Sequence, residues 1–120
     1  MHELSICHSL VKQLEELAQQ HNSHKINLVK IQIGPLSGVE PGLLCQVFPI
    51  ASAGTRAEGA HLEAQIVPIR VKCAACGLEG DAKLNNLTCT HCGHRQTRIV
   101  SGNELILTSI EMDTTEVEHV

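Results

Sequence analysis

Apolar residues recur at three- and four-residue steps near the start of the chain and predict an amphipathic helix over about residues 3–21. One face of this helix would carry Leu4, Cys7, Val11, Leu14 and Ala18. The opposite face is polar, and the run His21-Asn22-Ser23-His24 is expected to end the helix.

Two later segments alternate apolar and polar side chains over much of their length, which is the period of a half-buried β-strand, and an apolar segment near the end of the chain is expected to form a third strand. They predict strands over residues 26–33, 61–67 and 105–112. Between the first two strands, Pro41 suits the first position of a second helix, and Glu40 is expected to cap its start. Pro49 should end or kink that helix, because proline has no backbone N–H. Residues 116–120 are expected to form a frayed tail.

Four of the six cysteines stand in two CxxC pairs that are separated by twelve residues. Each pair is followed by a glycine, Gly77 or Gly93, which can adopt the positive-φ conformation of a thiolate-binding turn. Two such turns facing each other supply four soft ligands at the corners of a tetrahedron. The spacing therefore predicts a structural zinc site formed by Cys73, Cys76, Cys89 and Cys92.

Other uses of these cysteines fit the sequence less well. Iron in a rubredoxin-like site has the same tetrathiolate geometry, and the spacing leaves it open. A disulfide framework would suit a small secreted chain, whereas Met1-His2-Glu3-Leu4 lacks the basic region and apolar run of a signal peptide. A catalytic zinc needs an open coordination position, which four cysteines would fill. We therefore expect a cytoplasmic protein with reduced thiols that is not an enzyme.

The predicted order of elements is helix, strand, helix, strand, cysteine module and strand. The last strand has to return to the sheet, because an isolated strand of its composition would be unstable. The sequence thus predicts an α+β fold, with two helices and a small three-stranded sheet, into which a zinc-ribbon-like module is inserted. The expected boundaries are residues 1–69 plus 101–120 for the α+β domain and residues 70–100 for the module. So small a module, whose cysteine segment looks loop-like, would draw folding energy on the order of 10–16 kcal/mol from its metal.

The net charge of −4 is unevenly distributed, with a net charge of +3 on residues 70–98 and of −5 on residues 99–120. The basic residues of the first segment could offset the formal −2 charge of a zinc ion with four thiolates; they are Arg70, Lys72, Lys83, Arg95 and Arg98. Phe48 is the single aromatic residue of the chain, so the cysteine module has no stacking platform for a base. No segment approaches the roughly 20 apolar residues of a membrane span. We therefore expect neither nucleic acid nor membrane as a partner.

The first residues offer a second set of metal ligands. Because histidine at position 2 is large, Met1 should be retained, and its α-amine would precede His2 directly. The amine, the amide nitrogen of His2 and its imidazole form fused chelate rings, and the amide nitrogen of Glu3 can complete a plane. Four nitrogens in a plane favour Ni(II) or Cu(II) over zinc. The first N–H groups of a helix have no intrahelical acceptor, so their deprotonation breaks no helical bond. The alternative is a solvated histidine.

Four segments of the chain together resemble the HypA/HybF family of nickel metallochaperones for hydrogenase maturation. They are Met1-His-Glu-Leu-Ser-Ile6, Gly34-Pro-Leu-Ser-Gly-Val-Glu-Pro41, the paired CxxC motifs, and Leu107-Thr-Ser-Ile-Glu-Met112. The segments follow the order of the family and span essentially the whole chain.

The resemblance implies a nickel-binding domain, residues 1–69 plus 101–120, interrupted by a zinc-binding domain, residues 70–100. Ni(II) would be the cargo, held at the N-terminus by Met1, His2 and Glu3 with His2 as the indispensable side chain, and Zn(II) would be structural. The implied partners are the large subunit of a [NiFe]-hydrogenase and the maturation GTPase of the family, and a homodimer is compatible with it. The alternative function is a zinc-ribbon adaptor that binds nucleic acid or a protein partner.

Two further pairs of residues have simpler explanations than metal binding. Cys7 and Cys45 are expected to be small buried apolar residues on helix faces. His91 and His94 lie in or beside the second CxxC pair and could replace a ligand or change the local charge on protonation. We interpret them as exposed loop histidines.

Overall fold

The computed structural model describes residues 2–114, so the predicted tail at residues 116–120 lies outside the described part of the chain. Helix α1 covers His2–Gln20, as the apolar periodicity predicted. Cys7, Leu14 and Ala18 are fully buried on its inner face. The predicted stop is confirmed, because the chain turns at Asn22 with a positive φ of 55° and then enters a strand.

Strands β1, Ser23–Ile33, and β2, His61–Ile66, belong to one three-stranded sheet in the order β2-β1-β6. The third member, β6, covers Leu105–Thr114, so the last predicted strand does return to the sheet. One face of β1 is buried through Val29, Ile31 and Ile33, and Ile26 is buried as well. The two predicted helices and the three-stranded sheet are therefore confirmed.

Helix α2, Pro41–Ser52, packs against α1 and begins as the sequence predicted. Pro41 occupies the first helical turn, and the Glu40 carboxylate accepts a hydrogen bond from the Leu43 backbone N–H at 2.9 Å. Pro49 does not end the helix, so that half of the prediction, which was that Pro49 would end or kink it, is wrong. Pro49 is itself exposed, and the turn beyond it buries Ala51 and Ser52, so burial offsets the one hydrogen bond that proline cannot donate.

The segment around the cysteines contains a second three-stranded sheet, where the sequence predicted loop-like structure. Its strands are β3, Ile69–Cys73, β4, Glu79–Ala82, and β5, Thr97–Ser101, in the order β4-β3-β5. Both neighbours run antiparallel to β3. These strands are short and only β3 alternates between buried and exposed residues, so periodicity gave little sign of them.

The chain divides into two compact units. The helical unit takes the described chain up to Ile31, then Glu40–Ala64 and the chain from Leu107 onward. The cysteine unit consists of Gln32–Val39 and Gln65–Ile106. Among the described residues, none of the helices is long and apolar enough to cross a membrane.

Two glycines in the cysteine unit are required by a close backbone approach. A Cβ atom on Gly34 would lie 2.1 Å from the carbonyl carbon of Gly102, and one on Gly102 would lie 2.7 Å from the Cα atom of Ile69. Gly102 also has a positive φ of 107°. The Gly102 carbonyl accepts a hydrogen bond from the Leu36 N–H at 2.8 Å, so neither backbone can easily move away.

Gly102→Ala is therefore expected to lower the free energy of unfolding by about 2–5 kcal/mol, from strain at positive φ plus overlap with Ile69. Gly54→Ala is the matched control, because Gly54 has a φ of 79° but no atom within 4 Å of the added Cβ. It should cost only about 1–2 kcal/mol. Urea unfolding followed by circular dichroism compares the two, and equal losses would contradict the overlap.

Candidate metal centres

The first cysteine pair forms a turn directly after β3. The Cys73 sulfur accepts backbone N–H groups from Ala75 at 3.3 Å and from Cys76 at 3.4 Å. The Gly77 N–H closes the turn on the Cys73 carbonyl at 3.1 Å, and Gly77 has the positive φ, 76°, that the sequence suggested. The Cys73 N–H in turn donates to the Leu78 carbonyl at 3.0 Å. Backbone donors thus hold the sulfur in place.

The second pair repeats this geometry. The Cys89 sulfur accepts N–H groups from His91 at 3.3 Å and from Cys92 at 3.4 Å. Gly93 has a φ of 78°, and its N–H donates to the Cys89 carbonyl at 2.9 Å. Cys89 is buried, like Cys73, whereas the second cysteine of each pair is exposed.

The two turns bring the four sulfurs within 4.8 Å of one another. Cys73 and Cys92 are 3.5 Å apart, and Cys76 and Cys89 are 3.6 Å apart. A zinc ion with four Zn–S bonds of about 2.3 Å requires sulfurs about 3.8 Å apart. The cluster therefore fits a tetrahedral ion with no open position for water, which is the geometry of a structural zinc site.

The hydrogen bonds also set the charge of the cluster. The backbone N–H groups of Cys92 and His91 lower the pKa of the Cys89 thiol to about 6, and those of Cys76 and Ala75 lower the pKa of Cys73. The pKa of Cys92 is raised to about 12; the His94 N–H opposes this shift, but the Cys73 thiol and burial outweigh it. A divalent cation between the sulfurs would stabilise all four as thiolates.

The polar side chains beside the cysteine cluster form hydrogen bonds with the backbone or ion pairs with each other. The His91 ring nitrogen Nε2 lies 3.3 Å from the Glu79 carbonyl, and His94 Nδ1 accepts the Gln96 N–H at 3.1 Å. Both histidines are exposed. Arg70 pairs with Asp81 at 2.8 Å, so its charge is already matched within the sheet.

At the other candidate centre, His2 is the first residue of α1 and its side chain is 58% exposed. The Glu3 side chain is turned inward, and its Oε2 accepts the Glu40 backbone N–H at 3.0 Å. The Glu3 carboxylate thus links the start of α1 to the start of α2. Met1, which precedes α1, lies outside the described residues. Sequence reasoning missed this link, because no local pattern connects residues 37 positions apart.

Glu3→Ala is expected to lower thermal stability, because it leaves the Glu40 N–H without its acceptor. The hydrogen bond from Glu40 lowers the pKa of Glu3 below its ordinary 4.5, against a partly opposing effect of burial. This stabilisation is fully present above pH 4.5 and is lost as the pH falls through the lower folded pKa.

Melting temperatures of wild type and Glu3→Ala, both free of nickel, should thus converge as the pH falls from 4.5 through the lowered pKa of Glu3. Glu63→Ala serves as the control, since Glu63 is an exposed glutamate with no buried hydrogen bond. A gap between wild type and Glu3→Ala that stays constant down to pH 2 would contradict the role of the carboxylate.

The remaining cysteines lie on the facing helices. Cys7 is buried as predicted; burial raises the pKa of its thiol to about 11, and the thiol donates to the Leu44 carbonyl at 3.5 Å. Cys45 is exposed, so the prediction of burial is wrong for it. Its thiol lies 4.0 Å from the Leu62 carbonyl on β2, and partial burial raises its pKa.

Comparison with known proteins decides the family. The family model described as "Hydrogenase/urease nickel incorporation, metallochaperone, hypA" matches residues 1–112. The chain belongs to the HypA family.

A "Hydrogenase maturation factor HypA" of Nitrosospira multiformis is 51% identical over 115 residues, covering 96% of this chain and all of the relative. One from Aquifex aeolicus is 40% identical over 113 residues and covers 94% of this chain and 98% of that relative. The solution structure of the Ni metallochaperone HypA from Helicobacter pylori matches with a TM-score of 0.71 and 27% identity, over 93% of this chain and 97% of that one.

HypA family membership confirms the function that the sequence motifs predicted. The chain is a nickel metallochaperone of hydrogenase maturation rather than an enzyme, and its four-cysteine cluster suits zinc. A maturation role also means that it interacts with maturation proteins. The alternative of a nucleic-acid-binding adaptor is not favoured.

Proposed function

We propose that this chain carries one Ni(II) ion on the α-amine of Met1, the amide nitrogen and imidazole of His2, and the amide nitrogen of Glu3. The observation that supports this best is the contrast between the first two side chains that the structure describes. His2 is exposed at the first position of α1, whereas the Glu3 carboxylate is occupied by the Glu40 N–H. Glu3 would therefore contribute its backbone nitrogen and not its carboxylate.

The start of a helix suits this ligand set for two reasons. The first N–H groups of α1 have no acceptor within the helix, so the amides of His2 and Glu3 can lose their protons without breaking a helical bond. Two deprotonated amides cancel the 2+ charge, which leaves a neutral complex at a helix end that repels cations. Because the ligands release protons on binding, nickel affinity should fall as the pH is lowered.

The other metal function belongs to a different part of the fold. We assign the structural zinc to Cys73, Cys76, Cys89 and Cys92 in a zinc-binding domain of residues 70–100. Residues 1–69 plus 101–120 would be the nickel-binding domain. The separate membership of β1, β2 and β6 in one sheet and of β3, β4 and β5 in another supports this division.

Delivery would take place in the cytoplasm, to the large subunit of a [NiFe]-hydrogenase and together with a maturation GTPase. The printed sequence has no GxxxxGK[ST] loop, so nucleotide hydrolysis would come from that partner. A terminal amine is a suitable first ligand to lose, because a ligand of the acceptor protein can displace it without moving the fold. A homodimer would leave this route unchanged, since each chain has its own ligands.

A complementation experiment tests the proposed delivery. In cells that lack their own HypA-family protein, this chain should restore [NiFe]-hydrogenase activity, and His2→Ala should not. His8→Ala is the matched control, because His8 is an exposed histidine on the same helix and should restore activity. Equal activity with His2→Ala would contradict the proposed ligand, provided that immunoblots show equal protein levels.

A further inference from the structure

Strand β6 is the last strand of the sheet order β2-β1-β6, and no strand among residues 2–114 pairs with its outer edge. β6 covers ten residues. In an edge strand, every second residue directs its backbone N–H and C=O groups away from the neighbouring strand. The outer edge of β6 thus presents a row of backbone donors and acceptors on which another strand could pair.

A groove runs beside this edge. It has a volume of about 450 Å³ and is lined by Leu17 and His21 from the end of α1 and by residues 107–110 and 112 of β6. Leu17, Leu107, Ile110 and Met112 are all half-buried, so apolar surface remains accessible in the groove. An edge strand beside a helix, with an apolar groove between them, is an arrangement that binds extended peptides by strand addition.

The negative charge around β6 favours a positively charged binding partner. Residues 99–120 contain five acidic side chains and no lysine or arginine, and two exposed acidic residues, Glu111 and Asp113, lie on β6 itself. Like charges on adjacent strands destabilise their pairing, whereas opposite charges stabilise it. A second copy of β6 would therefore be repelled by this edge, and so would residues 116–120, which carry Glu116 and Glu118.

We propose that the outer edge of β6 and its groove bind an extended segment of another protein, in which basic side chains alternate with apolar ones. The backbone of the segment would pair with β6, its apolar side chains would enter the groove, and its basic side chains would face Glu111, since the Asp113 carboxylate already accepts a hydrogen bond from Asn27 on β1 at 3.0 Å. This inference does not depend on the metal ligands proposed above, so it can fail while nickel delivery holds.

The probe is a synthetic peptide of the length of β6 that alternates valine and lysine, titrated into the isotopically labelled, zinc-loaded full chain. Shifts in amide resonances should map to β6 and the last turn of α1, and hydrogen exchange of the outward amides of β6 should slow. A peptide with glutamate in place of lysine should bind much more weakly, and so should one whose alternate backbone nitrogens are methylated.

Two single-charge variants give a matched comparison. Glu111→Lys should weaken binding of the valine–lysine peptide about fivefold and strengthen that of the glutamate peptide, whereas Glu63→Lys, on the opposite edge strand β2, should change either by less than about twofold. The proposal is overturned if the valine–lysine peptide does not bind, if the shifts map away from β6, if the methylated peptide binds equally, or if sedimentation and cross-linking show a second copy on β6.

Discussion

His2→Ala is expected to abolish tight Ni(II) binding while the zinc content of the protein stays unchanged. The substitution removes the imidazole and breaks one of the fused chelate rings, and loss of a direct ligand should cost at least as much as the roughly 10–100-fold that loss of a supporting hydrogen bond costs. The four-cysteine cluster, to which the zinc is assigned, is formed by other side chains, on turns after β3 and before β5. Nickel titration by calorimetry and visible absorption, with zinc measured by elemental analysis, gives both readings.

A Gly-Ser extension before Met1 should have the same effect, although it changes no side chain. It converts the α-amine into an amide and moves the free amine away from His2. The His8→Ala variant should bind one Ni(II) and keep the visible absorption spectrum that wild type shows for planar nickel coordination. His8 is exposed, and the proposed site does not use it. Unchanged tight binding in the extended protein would exclude the amine as a ligand, and unchanged binding in His2→Ala would exclude the whole site.

Cys89→Ser is expected to unfold the cysteine-bearing sheet while helices α1 and α2 remain folded. Cys89, like Cys73, is buried and its sulfur accepts two backbone N–H groups, and a hydroxyl is a poor substitute for a thiolate on zinc. Strands β4 and β5 are mostly exposed and bury little apolar area. The metal should therefore supply most of the folding energy of this sheet, on the order of 10–16 kcal/mol. Removing zinc from wild type with a chelator should have the same result.

Amide exchange read out by NMR separates the two parts of the fold. Protection should be lost at β3, β4 and β5 and retained at α1 and α2. Cys45→Ser is the matched control, because it changes an exposed cysteine outside the cluster and should keep both zinc and protection. If β3 stays protected after zinc removal, the sheet would be stable without the metal and the structural role would be wrong.

The sequence was most informative where the periodicity or the spacing is strong. The three- and four-residue steps of Leu4, Cys7 and Val11 predicted α1 to within a residue at either end, and the CxxC spacing predicted which four sulfurs meet. It was least informative for short strands: β4 has four residues with little apolar content, so its alternation is invisible before its partner β3 is known. Pro49 misled about where α2 ends, because propensity describes a helix alone, whereas the last turn of α2 buries Ala51 and Ser52.

Local chemistry along the chain was therefore sufficient to predict the four-cysteine cluster, whose geometry suits zinc. A pair of cysteines two residues apart forms the same turn in any context, because the bonds from the N–H groups to the sulfur lie within one short segment. The inward orientation of the Glu3 carboxylate and the edge position of β6 among the strands of residues 2–114 depend on residues far apart in the chain. Such contacts exist only once the helices and strands have packed, and no one-dimensional pattern records them.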